Sequence, residues 1–300
     1  MTTKRRSSSR ISSGNTTSTS LKALADSSNN NNDKQQPRAT KKQKSNTTTR
    51  KSHWSRPGVE AAARLVSLPI SSSSSSTVEK SVMSWSTALS SYDSMIKAKG
   101  DTKLYKLDQQ RQNIARQWRE GECEMTKDQL LNVIIPWKFG KGKPRNALKP
   151  KLQSNKDEDV INSSRSAFTS ADFSIAADNN DRNDNSDVNQ HVKEAINSLC
   201  QLNGVGPATA SAILSAYCPQ SFAFMDDEVI ECLYEAKRGY TLKIYVAVND
   251  RCVEIAKELN GAISGGSCEW TPADVAKALW TVATMSALKD EEGLSKVFGD

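Results

Sequence analysis

Leu202-Asn203-Gly204-Val205-Gly206-Pro207-Ala208-Thr209-Ala210-Ser211-Ala212-Ile213-Leu214 joins two stretches with the same apolar rhythm. Before it, Val192, Ala195, Ile196 and Leu199 recur at i, i+3, i+4 and i+7; after it, Ala210, Ile213, Leu214 and Tyr217 repeat that spacing. The pattern predicts two short amphipathic helices joined by a tight turn. Gly204 and Gly206 permit positive φ and the close approach of another backbone, Val205 can tuck inward between them, and Pro207 suits a first helical turn, whose amides lack partners anyway. The amides of Gly206, Ala208 and Thr209 then face outward at a helix N-terminus, an anion site that needs no side-chain charge and suits a nucleic-acid phosphate. Gly-x-Gly turns also connect packed helices without any ligand, so a purely structural turn is the alternative.

The full string resembles the helix-hairpin-helix of the DNA glycosylase superfamily that includes endonuclease III and the alkyladenine and oxoguanine glycosylases. That resemblance rests chiefly on residues 192 to 230 and implies an all-α fold that grips a duplex backbone through the hairpin at 192–217. In that superfamily an aspartate opens the helix that follows the hairpin, and Asp226 stands at the equivalent spacing beyond Gly206. The resemblance makes Asp226 the catalytic carboxylate, stabilising positive charge on a sugar as the glycosidic bond breaks or activating water. The residues alone also allow Asp226 or Asp227 to do no more than cap the helix that contains Val229, Ile230 and Leu233. Three departures bear on the chemistry. Ala208 stands where bifunctional members carry a Schiff-base lysine, so the implied enzyme is a monofunctional base-excision glycosylase. The loop Cys218 to Met225 has one proline and no glycine, and the close cysteine spacing of an iron-sulfur cluster is missing. A catalytically inactive, glycosylase-like DNA-binding or adaptor protein is therefore the alternative, and a helical protein-interaction module the third. Tyr105 to Asp108, the loop at Trp137, Gly204 to Pro219, Phe222 to Val229 and Tyr240 to Tyr245 together resemble the eukaryotic Amun-like group of glycosylase-like proteins, which implies a nuclear setting.

Outward from the hairpin, helical spacing predicts helices at 78–98, 102–119, 127–137, 157–170, 190–202, 207–217, 227–236, 242–260 and 272–288. Thr126 with Gln129 reads as a capping box, and Thr271 before Pro272 as a helix start. The β-branched run Ile244 to Val248 fits a strand, but Leu242, Tyr245, Val246, Asn249, Cys252, Val253 and Ala256 form one helical stripe, so helix is expected. The polar insert around Asp178 to Asp187 reads as a surface loop.

Charge is unevenly placed. Thirteen of the 41 basic and two of the 34 acidic side chains fall in residues 1–57, which leaves 28 basic against 32 acidic over residues 58–300. With its Ser, Thr and Asn runs, the stretch 1–76 reads as a disordered basic tail ahead of one helical domain at 77–300. Within it, Lys4-Arg5-Arg6 and the basic cluster from Arg38 to Lys44 fit a nuclear import receptor or phosphate; an Arg- and Ser-rich start also suits an organelle transit peptide, and a solvated linker is the bland reading. The one concentrated positive stretch of the body, 137–151, holds six basic residues and no acid. Lys138, Lys141, Lys143 and Arg145 are expected to meet DNA phosphates there, with Trp137 or Phe139 stacking on a base. A solvated loop with Trp137 in the core is the alternative.

Cys123, Cys200, Cys218, Cys232, Cys252 and Cys268 lack paired short spacings, and His53 and His191 stand apart, so neither metal nor cofactor is expected. No apolar run reaches the ~20 residues of a membrane span. Gly204, Val205, Gly206, Ala208 and Thr209, with the basic loop, are thus the expected contacts to duplex DNA, the main partner.

Overall fold

Helical spacing translates into helices with few exceptions. The computed structural model describes residues 58–178, 185–234, 239–263 and 269–300, all within one unit that spans residues 50–300. Among them no strand occurs. The chain begins with α1 (Val59–Val66), α2 (Ser75–Ser90) and the long α3 (Tyr92–Arg119). Next, α4 (Lys127–Gln129) runs through a π-helical turn (Leu130–Ile134) into α5 (Ile135–Lys141), and a 3-10 turn leads to α6 (Lys149–Gln153). Then come α7 (Asp157–Asp178), α8 (Asn185–Cys200), α9 (Pro207–Tyr217), α10 (Asp227–Leu233), α11 (Leu242–Ala262), α12 (Pro272–Leu288) and α13 (Glu291–Phe298).

Local chemistry sets the ends and bends. Thr126 with Gln129 forms the expected capping box, Thr271 forms another with Asp274, and the Thr241 hydroxyl accepts from Ile244 N, which starts α11 through the β-branched run. Inside α3 the backbone breaks at Gly100 and Asp101, where Asp101 takes φ 57 and ψ −175 and its carboxylate accepts from Thr102 N at 2.7 Å. The gap between the expected helices 78–98 and 102–119 is this kink; the additional break between α2 and α3 at Ser91 is not in the spacing. Pro136, which cannot donate to the helical ladder, lies two residues beyond the end of the π turn at Ile134.

Several expectations need correction. The boundary of the tail at 76 lies too far along the chain: Val59, Ala62 and Leu65 are fully buried, and the Gly58 backbone, at φ +88, lies so close to Ala283 that a Cβ would meet its carbonyl oxygen at 2.0 Å. Of the Ser run at 71–76, residues 71–74 lie between α1 and α2 and Ser75 and Ser76 open α2, so the run does not end a tail. Residues 1–57, including both basic clusters, lie outside the described residues. The central part of the Asp178–Asp187 insert also lies outside them, and α8 begins at Asn185. Helices α6 and α13 were not foreseen; each is short and shows few apolar residues.

Two helices hold the core. Every position of α12 from Val275 to Met285 except Lys277 is buried, Trp280 fully so, and the helix packs against α1, α2, α3, α10 and α11. From Ala208 to Tyr217 every residue of α9 is buried as well. The stripe Ala210, Ile213, Leu214 and Tyr217 is thus only part of an all-round core helix, whose Ala, Ser and Thr residues let α3, α5, α7, α8 and α11 close in. The second helix of the hairpin is consequently anchored on all sides, which fixes the direction of its N-terminus.

Candidate nucleic-acid interface

The turn between α8 and α9 is built by two glycines with different tasks. Gly204 sits at φ +80, and a Cβ there would come within 3.1 Å of Leu152 Cγ and Lys151 Cβ, because α6 packs directly under it. Gly206 is extended, at φ −121 and ψ −179, and a Cβ there would meet nothing within 4 Å. Only the first therefore needs glycine for its backbone; the second is bare toward solvent. Val205 tucks inward as expected, 7% exposed.

A residue that sequence reasoning missed locks this turn. Asn155, buried just beyond α6, accepts from Asn203 N through Oδ1 at 2.7 Å and donates from Nδ2 to Asn203 O at 3.0 Å. Its amide thus pairs both backbone groups of the turn, as a neighbouring strand would.

At the start of α9 the expected trio of free amides is reduced. Thr209 N donates to Gly206 O at 2.8 Å, and Thr209 itself is buried. The amides of Gly206 and Ala208 make no backbone hydrogen bond among the described residues. They line an open cleft of about 240 Å³. Lys138, Lys143 and Arg145 come to the same cleft from α5 and the loop after it, and Asp226, Asp227 and Tyr240 form its far side. Arg145 places its guanidinium 4.7 Å from the centre of the Tyr240 ring, whose hydroxyl donates to Asp227 Oδ1. Lys143 and Arg145 are exposed, whereas Lys138 is half-buried, and burial with Arg145 nearby lowers its pKa against the opposing pull of Asp226 and Asp227.

Lys141 does not belong with them. Its side chain turns into the protein, 2% exposed, with Nζ 4.1 Å from the centre of the Trp280 ring and 5.2 to 5.4 Å from those of Phe224, Trp137 and Tyr92. Trp137 and Lys141 stand four residues apart on one buried side of α5, whereas Lys138 lines the cleft. Trp137 and Phe139 are likewise core residues and offer no face to a base.

What Lys141 meets is Asp226. The carboxylate, 4% exposed, has Oδ1 accepting from Asp227 N at 3.1 Å as the N-cap of α10, while Oδ2 lies 3.0 Å from Lys141 Nζ. Among the described residues Oδ2 has no partner other than this ammonium, so the ion pair alone holds it. Burial lowers the Lys141 pKa, and Asp226 opposes that shift. Behind the pair lies a second buried set. Asp108 accepts from Tyr92 Oη at 3.0 Å and Trp137 Nε1 at 2.7 Å, and Arg111 donates to Ala212 O and Ser215 Oγ with its guanidinium 3.9 Å from the Trp137 ring centre. Two buried acids and two buried bases thus balance around one tryptophan, the condition under which buried charge is tolerable.

The cleft therefore joins a helix N-terminus, three cations at its rim and a carboxylate in its wall, drawn from three separated segments. Chemically it can bind an anion and, beside it, stabilise a developing positive charge or orient water. No group of three or more His, Cys, Asp or Glu residues suited to a metal ion occurs among the described residues, and no described helix is long and apolar enough to cross a membrane. No protein-family model matches the chain, and no match was found among curated proteins or solved structures.

Proposed function

We propose that this cleft binds duplex DNA in the manner of the helix-hairpin-helix glycosylases, the backbone lying against Gly206 and Ala208 with Lys138, Lys143 and Arg145 on the adjoining phosphates. The observation that carries the reading is the opening of bare Gly206 and the three cations onto one cleft whose wall holds Asp226. On this reading the protein is a monofunctional base-excision glycosylase: Asp226 assists departure of a base flipped from the stack, and no lysine stands at Ala208 to attack the sugar. A nuclear setting, with the basic clusters of residues 1–57 available to an import receptor, belongs to the same proposal.

Gly206→Val tests the binding. A Cβ there meets nothing within 4 Å and requires no positive φ, so the fold should be kept, but a side chain there would stand where a phosphate approaches. Duplex affinity of the full chain should fall at least about tenfold, near 1.4 kcal/mol, with an unchanged melting temperature. Unchanged affinity would remove the hairpin from the interface. Asp226→Asn should then abolish release of a damaged base while duplex binding persists.

A second reading has its own support: Asp226 is already occupied as cap and ion-pair partner, which suffices to explain it in a protein that binds DNA without acting on it. Under that reading wild-type protein binds duplexes through the hairpin and releases no base from any of them.

A further inference from the structure

We propose that Lys141 is the positioning residue of this site, acting from behind the cleft wall to supply the countercharge that keeps the Asp226 carboxylate ionised and fixed in one orientation. The inference rests on the DNA-site reading for its use in catalysis, but not for the interaction itself.

Three observations carry it. Asp226 lines the open cleft, whereas Lys141 lines a separate chamber of about 20 Å³ behind it, and Phe224 borders both spaces. The amine therefore stands away from any molecule in the cleft and can act on it only through the carboxylate. Next, Nζ is wrapped by four aromatic rings and makes its one ion pair among the described residues with Asp226 Oδ2. Aromatic faces attract the cation yet supply no neutralising charge, so the pair depends on the carboxylate being an anion. Finally, Oδ2 has no partner besides Lys141 among the described residues, so without Lys141 the buried carboxylate would keep only the Asp227 amide on Oδ1. Such a group takes up a proton in preference to staying charged in an apolar wall.

The other ionisable groups facing the pair are Asp108, Arg111 and Tyr92 of α3 and Lys277 of α12 on the inner side, with Lys138 of α5 and Asp227 of α10 on the cleft side. Asp108 and Arg111 offset each other and have their own partners, so neither replaces Lys141.

The test uses full-length protein labelled with ¹³C at aspartate side-chain carboxyls, with the Asp226 resonance identified by its loss in Asp226→Asn. In Lys141→Met, a neutral side chain of similar length, that resonance should move to the protonated position at pH values where wild type shows the carboxylate. If the protein releases bases, the acid limb of its pH profile should move upward, a change that mere loss of packing would not give. An Asp226 resonance that titrates identically in both proteins overturns the proposal. Should Lys141→Met fail to fold, the double variant Lys141→Met/Asp226→Asn decides. Removing both charges should restore a cooperative melt, whereas a double variant as unfolded as the single one overturns the inference. A displaced resonance in a protein whose wild type releases no base supports Lys141's hold on Asp226 and removes only the catalytic reading.

Discussion

Gly204 and Gly206 stand two residues apart and are glycine for opposite reasons, one because the protein is too close and one because nothing is. At Gly204 any side chain must adopt φ +80 and press on Lys151 and Leu152, so Gly204→Ala should destabilise by about 1–2 kcal/mol from backbone handedness alone. The check is the urea midpoint, which should fall there and remain in place for Gly206→Val. Asn155→Ala leaves the N–H and C=O of Asn203 without their protein partner and should cost about 1–3 kcal/mol in the same assay. Its loss should also lower duplex affinity, since the turn would no longer be held for docking. The spacing of glycines and proline revealed the turn, but not the clamp, because Asn155 acts across 48 residues of sequence and carries no local signature. The basic loop shows the same limit in reverse. The six basic residues of 137–151 look alike as letters, yet α5 directs Lys138 to the cleft and Lys141 to the core.

Among the elements, helices with long apolar stripes or capping chemistry were legible: 207–217 and 272–288 agree with α9 and α12 at both ends. Those decided by distant contacts were not. Helix α1 has only eight residues beside a Ser-rich run, and it is placed by packing on α10 and α12, where Gly58 approaches the α12 backbone. That contact makes a specific prediction. Gly58→Ala would force a Cβ to within 2.0 Å of Ala283 O and demand a positive φ, so α1 cannot stay seated. Hydrogen exchange should show α1 amides losing protection while α9 keeps its own, and the melting temperature should fall by several degrees, as expected for a loss of about 1–3 kcal/mol in a chain of this size. If α1 amides in wild type exchange freely, the helix contributes nothing to the core.

For the whole molecule, what counts is how much ionisable chemistry lies inside. The hairpin resemblance singles out Asp226, but the buried cluster around it, Tyr92, Asp108, Arg111 and Lys141, comes from two other helices and reads locally as ordinary polar positions. Burial in this interior also dictates the response to alkali. The phenols of Tyr92 and Tyr245 are raised well above their ordinary value by burial, the Cys200 thiol is pushed up to about 11, and Cys232 to about 12. In the unfolded chain these groups ionise near their ordinary values, so above pH 9 the native state holds more protons than the unfolded one. Stability from a raised group is complete below its unfolded pKa and is lost as pH climbs toward the folded one. Lys138 and Lys141 act in the opposite sense, since their lowered pKa values favour the native state as pH rises toward 10.5. The raised phenols and thiols outnumber them, so the net slope is downward. Above pH 10 each fully buried phenol should cost about 1.4 kcal/mol per pH unit. Urea midpoints measured from pH 7 to 11 should be flat to about pH 9 and then fall steeply, and Tyr245→Phe should make that fall shallower by up to one phenol's share. Equal slopes for the variant and wild type would mean that Tyr245 is reached by hydroxide in the native state, and with it that the α11 face of the core is open to solvent.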